Sequence, residues 1–135
     1  MTPEQRLNTV KDNLKQIVGI HHVTRNYSDL DTEMDKHERI YAVLSSGFPQ
    51  FGSLYDTEDE VHNFMIVAQQ LVNESTTGEQ KEAIEFSMLE VIKELVAQDG
   101  EANEPLNLEL VSARTSRQMD PIHAWVLFEL RFNDL

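Results

Sequence analysis

The stretch His123-Ala124-Trp125-Val126-Leu127-Phe128-Glu129-Leu130-Arg131-Phe132 decides the fold class. Ala124, Val126, Phe128, Leu130 and Phe132 alternate with Trp125, Leu127, Glu129 and Arg131. Successive side chains of a strand point to opposite faces, so a period of two marks a strand with one wholly apolar face. Such a face must be buried against another layer. Just upstream, Leu106, Leu108 and Leu110 also alternate with polar residues, and the apolar set then shifts to Val111 and Ala113. A one-residue shift exchanges the faces and predicts a β-bulge near Leu110. With Met119-Asp120-Pro121 as the turn, the two segments read as a β-hairpin.

The covering layer precedes the hairpin. Ala83, Ile84, Met88, Val91, Ile92, Leu95 and Val96 form a broad helical apolar face running to about Gln98. Thr77 and Gln80 have the spacing of a capping box, and Gly100 stops the helix before an acidic linker to Pro105. Ile84, Met88, Val91, Ile92 and Leu95 are expected to pack on the face carrying Val126, Phe128 and Leu130. Further upstream, Arg39–Ser46 and His62–Val72 read as strands, as does Ile20–Tyr27 with its β-branched and aromatic residues. Pro3–Val18 reads as a helix with Thr2 and Gln5 as its capping box and a narrow stripe of Leu7, Val10, Leu14, Ile17 and Val18. The expectation is one α+β domain over residues 1–135. It is a largely antiparallel sheet of about five strands with two helices packed on it, in the order helix, three strands, helix, two strands.

Composition narrows the function classes. Eleven basic and 24 acidic residues give a formal charge of −13. Such a surface repels nucleic acid and anionic lipid, whose affinity for proteins comes from Lys and Arg. The chain has no cysteine, which removes disulfides, thiolate metal sites and cysteine nucleophiles. The N-terminal residues lack the layout of a signal peptide, and no apolar run reaches the ~18 residues of a membrane span. Half of the acids fall in three connecting segments: Asp29, Asp31, Glu33, Asp35 and Glu38; then Asp56, Glu58, Asp59 and Glu60; then Asp99, Glu101 and Glu104. Ser28–Glu38 reads as a solvated loop or mobile arm with Leu30 and Met34 as its only sizeable apolar residues.

No phosphate-binding glycine loop, nucleophile elbow or His-Glu-x-x-His motif is present. His21 and His22 are adjacent on a strand and point apart, and His37, His62 and His123 lie on separate elements. No catalytic residue, cofactor or metal ligand is expected. Candidate contact residues are of a different kind. Trp125, the single tryptophan, reads either as a second core layer under a helix or as an aromatic anchor at a subunit contact. Arg114 and Arg117, with Met119 beyond them, read either as a solvated hairpin tip or as a site that pairs with a neighbour's acidic loop. Phe48, Phe51 and Tyr55 lie in a loop and either fold back on the core or dock on a partner.

This order of elements, together with the charged turn Arg114, Arg117, Asp120 shortly before Trp125 and the alternating strand Ala124–Phe132, resembles the tail terminator proteins of long-tailed bacteriophages, the minor tail protein U family. The resemblance covers nearly the whole chain and is one of layout, since that family carries no strict motif. It implies a structural protein of the virion tail, assembled in the bacterial cytoplasm. Six copies would close into a ring on the head-proximal end of the tail tube, stop polymerisation, and join the head-tail connector protein. The acids of the first two segments then become candidates for the bore, through which DNA passes without specific binding, or for contact with a neighbour. Two other classes compete: a head-tail connector or tail completion subunit, and an acidic DNA-mimic inhibitor. A small enzyme ranks third.

Overall fold

A computed structural model describes residues 1–49, 61–101 and 104–133. Helix α1 spans Pro3–Val18, strand β1 His22–Thr24, the short helix α2 Asp29–Thr32, β2 Arg39–Gly47, β3 His62–Leu71, helix α3 Gly78–Ala97, β4 Leu108–Thr115 and β5 His123–Phe132. The strands form one sheet in the order β1-β2-β3-β5-β4. β1 runs parallel to β2, and the other three pairings are antiparallel. The fold is therefore the expected α+β arrangement around a largely antiparallel sheet.

Both long helices begin with the capping boxes read from Thr2/Gln5 and Thr77/Gln80, each satisfying backbone N–H groups that have no partner in the first turn. They cover one face of the sheet. Leu7, Val10, Leu14 and Val18 of α1 and Met88, Ile92 and Leu95 of α3 bury against Tyr41, Val43, Phe64, Ile66, Val126, Phe128, Leu130 and Phe132. All five inward residues of β5 are buried, as their alternation requires. The bulge also appears: Leu110 pairs with Leu130 and Ser112 with Glu129, leaving Val111 as the extra residue. Val111 and Ala113 are exposed, so the shifted pattern marks the bulge and not a second buried row.

Four expectations need correction. The first strand covers only His22–Thr24, because side chains replace the ladder beyond it. Asn26 donates its N–H to the Thr24 hydroxyl, and Arg25 donates to the Val43 carbonyl at 2.9 Å and to Asn8 of α1. Ser28–Glu38 is not a solvated arm. It folds into α2 and a 3-10 turn over Met34–Lys36, and Leu30 and Met34 bury against Ile40, Ala42 and Val67 on the second sheet face. On α3, Ala83 is exposed, while Lys81 and Glu85 are buried and continue the stripe of Met88, Ile92 and Leu95. Finally, the hairpin reversal starts ahead of Met119. Arg117 and Gln118 adopt left-handed backbone conformations, with φ of 57° and 61°.

Candidate functional site

The connection between β4 and β5 is held by α3. The Glu85 carboxylate accepts hydrogen bonds from the Ser116 hydroxyl at 2.6 Å and from its backbone N–H at 3.3 Å, both groups buried. Lys81 donates to the Asp120 carbonyl at 3.0 Å, its stem buried along the helix while the ammonium reaches the loop. Gln118 donates to Glu82. Asp120 in turn accepts from the backbone N–H groups of Ile122 and His123, fixing the entry into β5. A seven-residue connection that looks like a free tip in sequence is thus pinned at three points. None of Lys81, Glu85 or Ser116 is signalled by an apolar pattern. Only the 3–4 spacing of Lys81 and Glu85 with Met88, Ile92 and Leu95 marks them.

What the end of β4 and this pinned loop display is cationic and apolar. Arg114, Arg117 and Met119 are exposed, Met119 by 81%. Among the described residues, neither arginine has an ion-pair or hydrogen-bond partner. Most other cations are engaged: Arg25 and Arg39 with backbone and side-chain acceptors, Lys36 with Glu33, Lys93 with Glu90, and Arg131 with Glu109. Trp125 is half-buried on the second sheet face, opposite Gln69, and belongs to neither core cluster. It lines an open hollow with Met119, Pro121, Ile122 and His123. A second hollow, bounded by Tyr27, Asp31, Gln69 and the same His123, adjoins it. Arg114 lies opposite Leu127 in the register, which places it on this same face.

The other candidates separate. Phe48 folds back and stacks on His62, with ring centroids 4.3 Å apart; His62 also lies against Phe132. Phe51, Tyr55, Asp56, Glu58, Asp59 and Glu60 lie outside the described residues. Of the acids in the first segment, Asp29 is committed internally. It accepts from the Thr24 hydroxyl at 2.7 Å and contacts His22 Nε2 at 3.1 Å, and these bonds hold its carboxyl below the usual aspartate range. Glu33 pairs with Lys36 at 3.1 Å, and Asp31 and Asp35 remain exposed. Asp99 is internal as well, accepting the backbone N–H groups of Leu106 and Leu108 to join the end of α3 to β4. The chain therefore shows solvent fewer loop carboxylates than its sequence implies.

The histidines are dispersed except for one pair. His22 and His37 stack with centroids 4.4 Å apart and planes 7° from parallel, beside Asp29. Stacked rings hold their nitrogens in parallel planes, which do not converge on one ion. Among the described residues no group of three or more His, Asp or Glu is placed to hold a metal ion, and no helix is long and apolar enough to cross a membrane.

No known family and no curated protein matches this chain.

Proposed function

We propose that this chain is a structural protein of a bacteriophage tail, a terminator subunit that closes into a ring on the head-proximal end of the tail tube. The ring ends tube polymerisation and offers the surface to which the head joins. One observation carries the reading: Arg114 near the end of β4 and Arg117 on the loop that α3 holds in place, both unpartnered among the described residues in a chain of charge −13, stand near a half-buried tryptophan. Exposed, unpaired cations near an aromatic anchor suit a contact with an acidic protein surface. The element order and the terminal alternating strand support the terminator layout.

The electrostatics constrain how such a ring closes. Six copies carry roughly −78 in formal charge, and that repulsion opposes closure at low ionic strength. Attraction must be local, and exposed ion pairs contribute only about 0–1 kcal/mol each. The subunit is therefore dispersed when dilute and closes at high protein concentration or on the tube end, which acts as template. The DNA-mimic alternative needs carboxylates in a phosphate-like row on one face. Asp29 and Asp99 are tied internally and Glu33 is paired, which argues against it. Binding assays with purified tail tube protein and with purified head-tail connector protein test the proposal. Capture of tube ends is the expected result. Binding to the connector alone would transfer the chain to the connector class.

A further inference from the structure

The outer side of α3 is not uniformly polar. Phe86 is 54% exposed there. Glu79, Ala83, Phe86 and Glu90 follow one another at spacings of four, three and four, so they share one stripe of the helix surface, and all four are exposed. The stripe presents an aromatic knob with a carboxylate at each end and only a small alanine beside it. Lys93 pairs with Glu90 at 3.3 Å, but both groups are open to solvent and the pair is weak.

On the opposite side of the sheet lies the hollow of Trp125, Met119 and Ile122, with Met119 81% and Ile122 49% exposed. Arg114 is on that face and Arg117 is in the loop that forms one wall. The hollow's own Asp120 is occupied by backbone donors, and Asp31 lies at the far, Tyr27 end. Both arginines thus stand on the side nearest β4, where Glu129, exposed on the same face, accepts from the Ser112 hydroxyl at 3.3 Å.

We propose that Phe86 of one copy seats in the Trp125–Met119 hollow of the next, with Glu79 and Glu90 facing Arg114 and Arg117. Charge decides for a second copy as the occupant: the knob is framed by acids, and near the hollow stand Arg114 on the same face and Arg117 in its loop, two cations that this acidic chain leaves unpartnered among the described residues. Knob and hollow lie on opposite sides of one sheet, so a chain cannot fill its own hollow. A contact between two different patches is head-to-tail, and it closes into a ring when the rotation between copies permits. This inference rests on the terminator reading and identifies the faces by which neighbouring subunits meet.

Two exposed substitutions test it, Phe86→Asp for the knob and Met119→Asp for the hollow, with circular dichroism confirming that each folds. Sedimentation velocity is run over a concentration series. The parent protein should associate beyond a dimer, and each variant alone should need at least about ten-fold more protein to do so. A one-to-one mixture should give a heterodimer and nothing larger, because only one knob and one hollow remain intact. Variants that associate like the parent, or a mixture that stays monomeric where the parent associates, overturn the contact. A parent that caps tube ends yet never associates in solution also overturns it. That result leaves tube capping standing, so the two readings fail separately.

Discussion

The carboxylate of Glu85 and the hydroxyl of Ser116 meet at 2.6 Å in a site where the two residues are only 1% and 3% exposed. This bond fixes the β4–β5 loop to α3 and sets the position of Arg117 and Met119. Replacing Ser116 with alanine leaves a buried carboxylate short of one donor. Urea unfolding should show a loss of about 1–3 kcal/mol. A loss below about 0.5 kcal/mol would mean that the loop is not held by this bond.

Leu30 places its side chain on the second sheet face with Met34, against Ile40, Ala42 and Val67. Leu30→Ala should cost about 2–5 kcal/mol. An unchanged denaturation midpoint would restore the view of Ser28–Glu38 as a solvated arm.

That segment shows where sequence reading stops. Five acids against two apolar residues give it the composition of a loop, yet two anchors at a four-residue spacing suffice when a sheet offers a complementary apolar patch. The strands around Arg39–Ser46, His62–Val72 and His123–Phe132 were legible because a half-buried strand must alternate and a central one must be apolar. The capping boxes were legible because their chemistry is local. Lys81 and Glu85 were not, since their charge conceals their place on the buried stripe of α3. Of the candidate site, Trp125 and the two arginines stood out by scarcity alone. The hollow and the Phe86 stripe required the tertiary arrangement of hairpin, sheet and helix.

Asp29 predicts a pH dependence. The hydrogen bonds from Thr24 and His22 depress its pKa in the folded chain below the ordinary 3.8. Between those values the unfolded state binds more protons than the folded state, so stability falls as pH falls. The contribution is fully present above 3.8 and is lost as pH drops through the folded value. Asp29→Asn should flatten the acid limb of the stability curve. Parallel curves for parent and variant below pH 5 would rule this out.

Arg114→Glu combined with Arg117→Glu should leave the fold within about 0.5 kcal/mol of the parent, because both residues are exposed and unpartnered among the described residues. The variant should bind tube ends far more weakly and give tubes of irregular length. Raising salt should first help closure of the parent ring by screening its net charge, and then weaken it once the local pairs are screened. A variant that caps as well as the parent would exclude these arginines from the contact.

Electron microscopy of tail tubes assembled with and without excess folded protein tests capping most directly. The terminator reading requires rings at one end of each tube and a narrow length distribution that broadens when the protein is withheld. Tubes of unchanged length, with no density at either end, would contradict it.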